Sequence, residues 1–257
     1  MQISVINHTT GKLSDEEVLE AIRAINRQIA QDYKPYWGNG GELRLEGHTG
    51  LQPDEQRLVD MRGDAVLYLW DDVNVDNALG YHDANNSGIP FGFVFTELSK
   101  QLGEKWSVTL SHEALELIGD PHVNLLVVGP HPAERDRDVF HWYEMSDAVQ
   151  AETYEIDSVE VSNFVLPLYF TESEEEGARN DFLGRLHDGK SLPSFGVNPG
   201  GYLGFFDPEL GSHDTFSLPE DEIAEKRIEV KKLAGNARRA IRYQRLGQPR
   251  AAAEEWQ

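Results

Sequence analysis

The sequence predicts an α+β fold, a mixed sheet with one buried helix against it, followed by a basic helical tail. Three observations predict it. A short apolar strand at residues 2 to 6 gives way at once to a capped amphipathic helix, the uninterrupted apolar runs Ala65 to Trp70 and Phe91 to Phe95 read as strands, and a helical pattern runs from Ser107 through Ile118. A chain of 257 residues buries one sizeable core. Residues 1–210 are therefore assigned to the α+β unit and 211–257 to a C-terminal helical tail.

The elements follow in order. Ser14 with Glu17 forms a capping box, and Val18, Ile22, Ile25 and Ile29 make the apolar stripe of the first helix. Leu43 to Leu45 is a short strand, and Ala65 to Trp70 is a buried one closed by Asp71-Asp72. A polar loop containing Asp83, Asn85, Asn86, Ser87 and Gly88 leads into Phe91 to Phe95. The second helix stops at Gly119-Asp120-Pro121, because proline cannot donate to a helical ladder and glycine suits a C-terminal cap. Val123 to Val128, Phe140 to Tyr143 and Val159 to Phe170 read as strands or extended segments. Glu172 to Glu176 reads as an acidic exposed loop and Gly196 to Phe206 as an aromatic loop.

Composition narrows the function. The 45 acidic residues against 23 basic ones give a formal charge of -22, which disfavours nucleic acid and anionic membranes as partners. The exception is the stretch from Lys226 to Arg250, whose basic residues at helical spacing form either a solvated helix or a strap over the acidic body, and which could meet a protein partner. No run approaches the roughly 20 apolar residues of a membrane span, and Met1 opens onto Gln-Ile-Ser-Val-Ile without a signal-peptide pattern. The expectation is a cytoplasmic protein, with release by a route that uses no such signal left open. Without cysteine, a metal here is held by His, Asp, Glu or backbone oxygen, and thiol catalysis is excluded. No phosphate loop, dinucleotide fingerprint or nucleophile elbow occurs.

The chemistry concentrates on the second helix. At about 100° per residue, His112 and Glu116 stand one turn apart on the same side, with Glu113 and Asp120 on the adjoining stripe and Ala114, Leu115, Leu117 and Ile118 filling the rest. Two ligands at i and i+4 reach one ion, while the residue after the first ligand faces the water that the ion holds and can take its proton. His112 and Glu116 are thus the expected ligands and Glu113 the general base. The alternative is a polar stripe that faces water. Downstream, Glu144-Met145-Ser146-Asp147 offers two carboxylates after a strand, one to complete the ligand set and the other to orient a ligand histidine.

Together, Gly80-Tyr81-His82-Asp83, Pro90 to Phe95, Ser111 to Glu116 with Asp120-Pro121, Glu144 to Asp147, Val161 to Pro167 and Pro199 to Tyr202 resemble a family of largely uncharacterised bacterial and phage-associated proteins with an H-E-x-L-E helix, similar to zincin metallopeptidases. The resemblance spans residues 65 to 206. It implies a zincin-like fold whose edge strand, near Phe91 to Phe95, lines a cleft where a peptide or protein substrate adds as an extra strand. It also implies a peptidase in which His112, Glu116 and Glu144 hold the metal and Glu113 is the base, with Asp120 and Asp147 as supporting groups or alternative ligands. One histidine with two carboxylates is a harder site than two histidines give. Zinc is expected, with manganese or calcium as alternatives.

Asp83 to Gly88 imitates half of an EF-hand loop, but position twelve is Val94 and the motif is rejected. His82 is assigned to substrate contact, with a simple turn histidine as the alternative, and Tyr143 and Tyr154 are read as core aromatics. A non-catalytic zincin-fold protein with a structural ion, part of a phage-like or secreted assembly, is the rival to the peptidase reading.

Overall fold

A computed structural model describes residues 1–71, 79–172, 177–219, 222, 225–226 and 228–229. The protein is mixed α+β. The first sheet contains β1 (Gln2–Asn7), β2 (Glu42–Glu46), β3 (Ala65–Trp70), β4 (Gly80–Ala84) and β5 (Pro90–Phe95) in the order β2-β1-β3-β5-β4. All pairs are parallel except β4 with β5, so the sheet is mixed and β4 is an antiparallel edge. The edge predicted near Phe91 to Phe95 is therefore corrected. That segment is β5, hydrogen-bonded on both sides, which fits its unbroken apolar run.

Helix α1 (Asp15–Arg27) begins at Ser14 with both halves of the capping box formed and buries Val18, Ile22 and Ile25 against one sheet face. A π-helical turn at Gln28–Tyr33 and the short α2 (Lys34–Trp37) follow. After the short α3 (Thr96–Gln101), helix α4 (Trp106–Gly119) crosses the same face, and every residue from Ser107 to Ile118 is buried. It packs on β4 and β5 and also on the strand Val159–Ser162. Burial on all sides excludes the water-facing alternative for the polar stripe.

Strand alternation sorts the two faces of this sheet. Ile3, Val5, Leu67, Leu69 and Val94 join the core under α1 and α4, while Ile6, Val66, Tyr68, Tyr81, Phe91, Phe93 and Phe95 form a separate aromatic cluster on the opposite face. Since Tyr81 belongs to the aromatic face, Gly80 and His82 point toward α4. A Cβ on Gly80 would lie 2.7 Å from Thr109 Cγ2 and 2.9 Å from Glu113 Oε1. Only glycine lets the edge strand approach the helix this closely.

The second sheet is antiparallel, in the order β11-β10-β7-β6, with β6 (Leu126–Pro130), β7 (Asp138–Trp142), β10 (Tyr202–Asp207) and β11 (Ser212–Ser217); β8 (Thr153–Ile156) and β9 (Val159–Ser162) form a separate hairpin. Several expectations shift here. The strand predicted over Val123 to Val128 begins later, because Val123 adopts a positive φ of 45° in the turn after α4. The extended stretch Val159 to Phe170 is strand only to Ser162, and Pro167–Phe170 is a 3-10 turn. The loop predicted over Gly196 to Phe206 ends in β10, and β11 shows that the tail assigned to 211–257 starts as part of this sheet. Of the tail's basic stretch Lys226 is described, and nearly all the rest lies outside the described residues, as does most of the predicted acidic loop Glu172 to Glu176. Among the described residues, no helix is long and apolar enough to cross a membrane.

Candidate metal centre

The site forms where α4, β4 and the turn after β7 meet. His112, Glu113 and Glu116 come from α4, His82 from β4, and Glu144 and Asp147 from the turn that leads into a 3-10 segment at Asp147–Val149. Met145, between those acids, is fully buried beneath the end of α4. A Cβ on Gly119 would collide with Met145 Cε and Sδ. Glycine at that position therefore serves packing, and its φ is not positive as a left-handed helix cap would require.

Within the cluster, His112 Nε2 is 3.2 Å from Glu116 Oε2 and 3.2 Å from Asp147 Oδ1. His82 Nδ1 is 3.1 Å from Glu113 Oε2 and 3.8 Å from Glu116 Oε2, and its Nε2 is 3.7 Å from Glu144 Oε2. The second oxygen of Glu116 accepts the Ser146 N–H at 3.0 Å, which fixes the carboxylate's rotation. Two sets of ligating atoms converge, each within 4.8 Å: His82 with Glu113 and Glu116, and His112 with Glu116 and Asp147. His82, His112, Glu113, Glu116 and Asp147 are each at most 5% exposed, and with Glu144, whose side chain is 10% exposed, four carboxylates meet two imidazoles.

Burial alone would lower the His82 pKa. The hydrogen bond to Glu113 and the charges of Glu144, Glu113 and Glu116 outweigh it and hold the imidazole above its ordinary value. Asp120 moves upward because burial dominates, and its carboxylate accepts the Leu125 N–H at 2.8 Å, holding the turn after α4.

The donor set fits a divalent ion. Two ligand atoms at 2.0–2.1 Å from a tetrahedral zinc stand roughly 3.3 Å apart, and the His112 separations are both 3.2 Å. Of the downstream acids it is Asp147 that joins His112 and Glu116 in a converging set, while Glu144, the acid expected as third ligand, lies against His82. Sequence reasoning did not find Ser146 or the close approach at Gly80. An isolated glycine opening a strand just before a histidine was the available signal for the second.

A small cavity of about 10 Å³, bordered by Glu144, Asp147, Trp142, Tyr169 and Leu203, adjoins the site. It has room for about one water. The far larger cavity of 490 Å³, near Arg179, Asn180, Leu192 and Ser194, contains none of these residues. Comparison of the chain with protein-family models, with curated proteins and with solved structures finds no match.

Proposed function

We propose that the protein is a metal-dependent hydrolase of peptide bonds, with zinc as the metal and manganese or calcium as chemically reasonable substitutes. The observation that carries this reading is the convergence of His112, Glu116 and Asp147 on one point, with Glu113 beside it on the same buried helix. These three residues would hold the ion. When bound, a divalent ion supplies Lewis acidity, polarising a carbonyl and lowering the pKa of water. Glu113 accepts the proton from the attacking water at a carboxylate oxygen and returns it to the leaving amine. His82 holds that carboxylate in place through its Nδ1.

The fold reading is zincin-like. A mixed sheet with a ligand-bearing helix beneath it and an antiparallel strand, β4, beside the site supports this. A peptide or protein is the substrate class, and the basic tail is the place for a further protein contact.

The test is cleavage of denatured casein by zinc-loaded protein beside Glu113→Gln. Loss of cleavage with zinc retained at His112, Glu116 and Asp147 supports the reading, and equal cleavage by both proteins refutes it.

The depth of the site favours a second reading, a structural ion in a non-catalytic member of the same fold. His112, Glu116 and Asp147 are 3%, 3% and 4% exposed, and structural sites are closed. Its mark would be an ion with four protein ligands and no cleavage of any substrate.

A further inference from the structure

We infer that the cluster holds two divalent cations, the second on His82, Glu113 and Glu116, sharing Glu116 with the first. This rests on the metal-centre reading above and deepens it.

Three observations support the second position. Its three ligating atoms converge within 4.8 Å, independently of His112 and Asp147. The separations of 3.1 and 3.8 Å from His82 Nδ1 bracket the roughly 3.3 Å expected between ligands on a common ion. The donors sit on two rigid elements, β4 and α4, which glycine at position 80 allows into close approach. Ser146, whose amide fixes the shared Glu116, also has a fully buried hydroxyl with no hydrogen-bond partner among the described residues.

Carboxylate-bridged ions of this kind stand about 3.5–4 Å apart. An ion on the second position takes the Glu113 oxygen that would otherwise accept a proton. Filling it restrains hydrolysis by the first ion, so metal supply regulates the site.

Native mass spectrometry of the full chain titrated with zinc counts the ions directly, on wild type, His82→Asn and Glu113→Gln, with circular dichroism to confirm folding. Two ions on wild type and one on each variant is the expected result; should His82→Asn fail to fold, Glu113→Gln carries the comparison. Two ions retained by the folded variants would place the extra ion elsewhere on the acidic surface, and one ion on all three proteins would leave the first site alone. Either overturns the second position and spares the first. No ion on wild type overturns both.

Discussion

His112 Nε2 and Asp147 Oδ1 lie 3.2 Å apart, and this contact ties the middle of α4 to the turn that follows β7. It sets the third donor of the proposed centre and separates the roles of two neighbouring acids. Asp147→Asn is expected to weaken zinc binding by about 100-fold or more, the upper end of what loss of a supporting group costs. Glu144→Gln is expected to leave the tighter of the bound ions within a few-fold of wild type. Competition against a chromophoric chelator measures both, and the reverse ranking would restore Glu144 as the ligand.

Gly80 makes a second prediction. A methyl group there meets Thr109 and Glu113 below contact distance, so Gly80→Ala must push the edge strand off α4 or displace the Glu113 carboxylate. The expected cost is about 1–3 kcal/mol, the usual range for overpacking. Urea denaturation reads it as a lower midpoint with unchanged slope.

Much of this architecture was legible in the sequence because its signals are local. The Ser14–Glu17 box, the continuous apolar runs of β3 and β5 and the span of α4 all depend on residues within a few positions of one another. His112, Glu113 and Glu116 were readable for the same reason. The choice between Glu144 and Asp147 was not, since both follow β7 within one short turn and their reach depends on how the 3-10 segment bends. The identity of the edge strand depends on pairing order, which periodicity does not encode. β10 is hidden in the sequence because Pro199-Gly200-Gly201 marks the turn that precedes it, and Gly204 interrupts the strand pattern.

His141 sets a pH dependence of stability. Burial pushes its pKa down to about 4 from an ordinary 6.5, partly opposed by the hydrogen bond it donates to the Pro130 carbonyl. The unfolded chain takes up this proton as pH falls below 6.5 and the folded protein does not until about 4. The stability contributed is therefore full above pH 6.5 and lost across that window, by up to roughly 3 kcal/mol. His141→Gln, which keeps a donor for Pro130 and does not titrate, is expected to flatten the slope of unfolding free energy between pH 6.5 and 4. An unchanged slope would assign the acid sensitivity to other groups.

Chelation supplies a fourth prediction. A ligand present at about 100 times its dissociation constant stabilises the folded state by about 2.7 kcal/mol, which for a chain of this size is a shift of roughly 5–10 °C. Adding EDTA to wild type should lower Tm by that amount, and His112→Ala should respond less. Equal responses would mean that chelation acts at a site other than the one containing His112.

The central claim is that His112, Glu116 and Asp147 hold a metal ion, and elemental analysis by mass spectrometry of protein purified without added metal tests it most directly. The account predicts at least one equivalent of zinc per wild-type chain and at least one equivalent fewer in folded His112→Ala. Wild-type protein free of zinc, manganese and calcium, or a metal content that His112→Ala leaves unchanged, would contradict it.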